Sequence, residues 1–150
     1  MSALFAFLHH LAAFALVSAL VVELVLIKGE LSLATARRIR LYDAVYGASA
    51  GIVLVIGLLR VGHFEKGAAY YLHSLPFIAK LSLFVLIGLL SIYPTREFIG
   101  WGKHLKQGHL PPLDARKLRR IRTIIHLEMA GLALMILCAA MMARGIGFFG

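Results

Sequence analysis

Two adjacent histidines, His9 and His10, and one lysine, Lys80, stand inside otherwise apolar stretches of the chain. An imidazole in an apolar helical setting is a good axial ligand for haem iron, and a lysine at similar depth can pair with a haem propionate or an anionic substrate. A histidine that only hydrogen-bonds a neighbouring helix, and a lysine that snorkels to the headgroups, would account for the same residues without a cofactor. His63 and His73 flank a short connection and offer a second axial ligand or a surface metal site; solvated loop histidines are the plainer alternative. A second set is acidic. Glu23, Asp43 and Glu128 lie near one end of three apolar runs, within reach of Arg40 and Arg122. An ion-pair cluster that locks the helices together is expected there, with a proton relay as the alternative. No HExxH, CxxC, Walker-type or GxGxxG pattern occurs, so zinc hydrolysis and nucleotide binding have no support.

These side chains need a scaffold, and composition points to a membrane. Of 150 residues, 61% are hydrophobic and only 15% are charged, whereas soluble domains carry about 25% charged residues. One water-soluble core has no room for so many apolar side chains. The formal net charge is +9, from 16 Lys and Arg against 7 Asp and Glu. The basic residues fall between the apolar stretches, which favours a lipid bilayer surface as partner and not nucleic acid. The single cysteine, Cys138, has no intrachain disulfide partner. The first basic residue is Lys28, so the N-terminal apolar segment lacks the basic start of a removable signal and is expected to stay in place.

Four uncharged runs stand out: Met1–Val22 of 22 residues, then Ala44–Leu59, Leu81–Thr95 and Met129–Ala143 of 16, 15 and 15. A helix needs about 20 residues to cross a hydrocarbon core of roughly 30 Å. The last three spans must therefore take ionisable residues into their margins: Asp43 or Arg60, Lys80, and Glu128. The expectation is an all-α integral membrane protein, a single domain over residues 1–150. Its four-transmembrane-helix bundle has spans near 3–27, 41–61, 76–95 and 123–144, and basic connections at 28–40 and 96–122. His9 and His10 then lie roughly 10 Å, and Lys80 roughly 6 Å, inside the same membrane face. Twelve Lys and Arg in the connections, against Arg60, Lys66 and Arg144 opposite, place the connections in the cytoplasm and both termini on the outer, periplasmic side. Tyr70, Tyr71, Tyr93 and Trp101 mark the interfaces of the third span. Asp114 follows Pro111-Pro112 and is placed to open a helix that runs into the fourth span.

Small residues let helices approach in lipid. The second span offers Gly47-Ala-Ser-Ala-Gly51 and a neighbouring stripe of Asp43, Gly47, Ala50, Leu54 and Gly57. The fourth carries Glu128, Gly131, Leu132, Met135, Ala139 and Met142 on one face, and the third carries Lys80, Phe84, Ile87 and Ser91.

Leu8-His9-His10-Leu11, Tyr71-Leu72-His73 with Ala79-Lys80-Leu81, and the ending Met142-Ala143-Arg144-Gly145-Ile146-Gly147 resemble a bacterial family of small four-helix membrane proteins without a settled activity. More distantly, His10-Leu11, Arg40-Leu41-Tyr42 and Lys80 resemble motifs of the oxygen-independent bacterial protoporphyrinogen IX oxidase, also a small protein of four spans. That resemblance implies haem b, with His10 as axial ligand and Lys80 as partner of a propionate or substrate. The chain departs from the oxidase in lacking a tryptophan in span one, in the extra His9, and in a longer, more basic third connection. The resulting expectation is a haem b oxidoreductase of the bacterial inner membrane, moving electrons from a tetrapyrrole or other hydrophobic donor to an acceptor such as quinone. Lys80 is its catalytic candidate, and His10, His9, Lys80, His73 and His63 are its cofactor-binding candidates. The rival is a non-enzymatic accessory subunit that docks on a larger membrane complex, forms a homo-oligomer, or binds anionic lipid. Four short helices without paired repeats argue against a transporter.

Overall fold

The computed structural model describes residues 1–64 and 66–150. Its helices are α1 Ser2–Lys28, α2 Leu33–Leu59, a short α3 Ala68–Leu72, α4 Leu75–Lys106 and α5 Ala115–Ala143, with a π-helical turn Arg60–Phe64 continuing α2. The four long helices are each long and apolar enough to cross a bilayer. Among the described residues the only β contact is an isolated bridge between Ser74 and Phe148. The long helices form two hairpins, α1 with α2 and α4 with α5, and the hairpins join through α1 against α5 and α2 against α4. Successive helices alternate in direction, as in up-and-down bundles. Both chain termini and the π-turn therefore lie at one end of the bundle, and the connections 29–32 and 107–114 lie at the other, basic end.

Helix starts follow from local chemistry. The Ser32 hydroxyl accepts from the Thr35 amide at 3.1 Å and caps α2. Asp114 Oδ1 accepts from the Lys117 amide at 2.7 Å and caps α5. Helices α2, α4 and α5 run past the expected span margins at the basic end. The reason is amphipathicity: Ala36 and Ile39, then Phe98, Trp101 and Leu105, then Ile121 and Ile125 are all buried, at spacings that put apolar groups inward and the intervening charges outward. Charge alone does not stop a helix, so the connection expected at 96–122 shrinks to 107–114.

Outside, the bundle is apolar. Phe14 is 74% exposed and Val25, Leu89 and Ile136 are 64%, 62% and 62% exposed, whereas Glu23 and Glu128 inside are each 2% exposed. Such a surface is matched to lipid, where only the backbone needs internal satisfaction.

One close approach, between α4 and α5, depends on a glycine. A Cβ on Gly131 would stand 2.8 Å from Ile87 Cδ1, so the bare backbone there admits the isoleucine. The glycine pair of α2 does not serve this role, because both Gly47 and Gly51 face open space. The buried stripe of α2 is instead Ala36, Ile39, Asp43, Tyr46, Ser49 and Val53. Three polar side chains on that stripe find partners or cover only inside, and turning them inward turns the glycines out.

Gly131→Val should therefore lower bundle stability by about 1–3 kcal/mol, seen as a reduced Tm in detergent. Adding Ile87→Ala should recover part of the loss, and Gly47→Val should change stability by less than about 0.5 kcal/mol. Equal Tm values for Gly131→Val and Gly47→Val would count against this packing.

Candidate functional site

At the terminal end the helices border an open-sided cavity of about 620 Å³, inside the range of about 300–1,000 Å³ usual for small-molecule sites. His9 and His10 reach it from α1, Val53 and Gly57 from α2, Lys80 and Phe84 from α4, and Leu132 and Met135 from α5. Arg60 of the π-turn and Lys66 add two further basic groups. Leu54, Leu58, Leu81 and Ile136 line the cavity and are also exposed on the lipid-facing surface, so it communicates with the apolar surroundings.

The two histidines differ. The His9 ring packs on α2, where a Cβ on Gly57 would meet its Cε1 at 3.2 Å, and its Nδ1 is buried without a hydrogen-bond partner. His10 Nδ1 lies 2.6 Å from the Ala6 carbonyl oxygen. A carbonyl can only accept, so Nδ1 carries the proton and Nε2 keeps its lone pair. The sequence candidates His9, His10 and Lys80 thus share one cavity. His63 and His73 do not line it. His63 neighbours Phe64, which stacks on Phe5 with ring centroids 4.7 Å apart. His73 donates from Nδ1 to the Ala69 carbonyl at 2.8 Å and packs on Phe149.

Sequence reasoning did not assign Arg60, Lys66, Tyr70, Tyr71 or Phe148 to this site. Arg60 and Lys66 could have been found from their place at the same membrane face as His10. The C-terminal tail, which brings Phe148 against Tyr70 at 4.6 Å, leaves no such trace.

A second cluster lies deeper, roughly one to three turns beyond the cavity floor depending on the helix. Glu23 of α1, Asp43 of α2 and Glu128 of α5 are all buried. Helix α4 supplies hydroxyls: Thr95 Oγ1 donates to Asp43 Oδ1 at 2.9 Å, and Ser91 Oγ lies 2.6 Å from Glu128 Oε1, 2.8 Å from the Ile87 carbonyl and 3.4 Å from the Tyr46 hydroxyl. The Glu23 carboxyl neighbours that of Asp43, and its Oε1 has no hydrogen-bond partner.

The three expected carboxyls therefore meet, but the arginines expected with them do not join. Among the described residues neither Arg40 nor Arg122 forms an ion pair within 4.0 Å of a carboxylate. Arg122 donates through Nε at 3.2 Å and Nη2 at 3.0 Å to the Ile27 carbonyl at the end of α1. Arg40 lies against Gly102, where a Cβ would be 2.9 Å from Nη2. A guanidinium keeps more hydration, and gains from the negative helix C-terminus, by staying at the basic end. Asp43, Thr95 and Arg40 also border a second cavity of about 250 Å³. Among the described residues, no group of three or more His, Cys, Asp or Glu is arranged to hold a metal ion.

A family model described as Predicted membrane protein (DUF2214) matches residues 1–147. The chain belongs to this family. With four membrane-length apolar helices, this DUF2214 chain is a multi-pass membrane protein that sits in a lipid bilayer. No curated protein and no solved structure matches it. Kinship with small membrane proteins therefore stands, while the likeness to the protoporphyrinogen oxidase rests on the quoted residues alone.

Arg122→Ala should cost about 1.5–3 kcal/mol, the range for hydrogen bonds to charged groups. The exposed pair of Lys117 with Glu97, 3.6 Å apart, should cost under about 1 kcal/mol when Lys117 becomes Ala. Thermal unfolding of both variants in the same detergent checks the order.

Proposed function

We propose that this DUF2214 protein is a haem b-binding oxidoreductase of the bacterial inner membrane, with both termini outside. It takes electrons from a hydrophobic donor that arrives through lipid and passes them to a membrane acceptor such as quinone. What supports this most is the meeting of the adjacent His9 and His10 with Lys80, 70 positions further along the chain, on one apolar cavity of about 620 Å³.

The residues present fit the cofactor. A histidine whose Nδ1–H is held by a carbonyl, as Ala6 holds His10, has its ring oriented and Nε2 available, which is the usual support of a metal-bound imidazole. His10 would hold the iron, and His9, wedged on Gly57, fixes the helix face beside it. Lys80 and Arg60 provide positive charge for propionates or for the carboxylates of a tetrapyrrole. Phe84, Val53 and Leu132 keep water from the cavity floor. When bound, haem supplies one-electron chemistry at a potential set by ligation and burial. Protoporphyrinogen IX, apolar in body and carboxylate at its edge, matches these walls and this rim, and the motif resemblance points the same way.

The accessory-subunit reading is favoured by one observation, the unpacked Gly51 on the outer face of α2, where a helix of a larger complex or of a second copy could approach.

Protein purified from haem-replete membranes should show haem b bands in a reduced-minus-oxidised spectrum. His10→Ala should remove most of the haem, His9→Ala should lower retention less, and Lys80→Met should keep the haem while weakening binding of an anionic porphyrin. A wild-type protein without bands would sink this reading, and full retention in His10→Ala would reject the ligand.

A further inference from the structure

The carboxyl cluster has no part in the function proposed above, and it is poorly suited to simple scaffolding. Ionisable groups inside a membrane are normally paired with opposite charge. Here Glu23, Asp43 and Glu128 have no basic group within 4.0 Å among the described residues, although Arg40 is one helical turn from Asp43 in sequence. Three negative charges together in an apolar interior would repel one another and lose their hydration. The cluster approaches neutrality only by sharing protons.

Its hydroxyls hold two of the three carboxyls: Thr95 donates to Asp43, and Ser91 lies between Glu128 and Tyr46. Glu23 is 2% exposed and aimed into the group, yet its Oε1 has no hydrogen-bond partner. A buried oxygen left this way is costly unless a proton or a water serves it.

One side of the cluster is reachable. The cavity of about 250 Å³ touches Asp43 and Thr95 and extends to Arg40 and Ile99 towards the basic end; it is roomy and polar enough for water. The other side is closed by Leu16, Val53, Phe84, Ile87 and Leu132, which separate the cluster from the larger cavity.

We propose that Glu23, Asp43 and Glu128, with Tyr46, Ser91 and Thr95, form a buried proton-exchange site that loads from the basic end through the cavity beside Arg40. A proton from hydronium or a buffer acid bonds to an Asp43 oxygen, leaving the conjugate base in that cavity. Transfer onward breaks the O–H bond at Asp43 as one forms at another carboxylate of the group. Each proton loaded raises the charge of the group by one, and no electron moves. The charged and titratable groups that face the site are Glu23 from α1, Asp43, Tyr46 and Arg40 from α2, and Glu128 from α5, while α4 brings hydroxyls only. The inference holds whether or not haem occupies the larger cavity.

The test is infrared difference spectroscopy of the full chain in lipid nanodiscs, between acidic and alkaline buffer. A carbonyl band of protonated carboxyl, shifted in D2O, should appear. Glu23→Gln, Asp43→Asn and Glu128→Gln should each diminish it, and Glu30→Gln, at an exposed carboxyl, should not. Ser91→Ala keeps all three carboxyls and should move the band without removing it. Gly47→Leu fills the second cavity where a side chain meets no neighbour, and should slow hydrogen–deuterium exchange of the band about tenfold. Absence of the band, its survival in all three carboxyl variants, or its displacement by sodium at fixed pH would overturn the proposal. An exchange rate unchanged by Gly47→Leu would overturn the route.

Discussion

Burying three carboxyl groups in a bundle whose outside must be apolar is the constraint from which the rest of the arrangement follows. The hydrogen bonds from Thr95 to Asp43 and between Ser91 and Glu128 tie α4 to α2 and to α5, and each fixes the rotation of a helix about its own axis. On α4, Ser91 and Lys80 are eleven residues apart, close to three whole turns at 3.6 residues per turn. Lys80 is therefore carried to the same face three turns nearer the terminal end. On α5, inward Glu128 sets Gly131 against Ile87 and Met135 in the larger cavity. On α1, Glu23 and His9 are fourteen residues apart, just under four turns, so the same rotation brings His9 to the cavity. One polar layer thus decides which side chains line the other.

The basic end is held by a different chemistry. Arg122 of α5 binds the Ile27 carbonyl of α1, and Arg37 of α2 donates to the Leu105 carbonyl of α4 at 3.3 Å. Both bonds cross from one hairpin to the other. Each reaches a carbonyl at a helix C-terminus, where the macrodipole favours a cation; the Leu105 oxygen also accepts from the Gly108 amide at 3.2 Å. Arg120 stands 5.4 Å from the ring centre of Tyr93, and Lys117 pairs with Glu97 across the α4–α5 hairpin. Much of the charge excess therefore works as interhelical fastening at the surface.

What the sequence makes legible is depth and periodicity. The four apolar helices, the buried face of α5 from Glu128 to Met135, the inward face of Lys80, Phe84, Ile87 and Ser91, and the common level of His9, His10 and Lys80 all follow from counting residues. Partners are another matter. Arginine at the right depth reads as a mate for Glu23 or Glu128, because the backbone carbonyls that in fact bind Arg122 and Arg37 leave no mark on the sequence. The Gly47 and Gly51 pair reads as a packing face, because a small-residue pattern does not say whether a polar stripe on the same helix has a stronger claim to the inside. His63 and His73 share a level with His10, but the π-turn and the C-terminal tail, neither written as a motif, turn them away from the cavity.

The two buried sites are kept apart by an apolar floor, yet they are not electrically independent. Lys80 and Ser91 are separated by roughly 16 Å along α4 at 1.5 Å per residue. One unit charge added at the cluster acts on a unit charge beside Lys80 with about 1 kcal/mol, taking an effective dielectric constant of about 20. That is a factor of about five in the binding of a charged ligand. Protonation of the carboxyls makes the interior less negative, which favours anionic groups in the larger cavity. Loading at the cluster and occupancy by an anion would therefore reinforce each other, and linkage makes the effect reciprocal. An apolar floor blocks the passage of protons without blocking their field, so the layering of this bundle separates a carboxyl layer from a cavity in space while leaving the two coupled in energy.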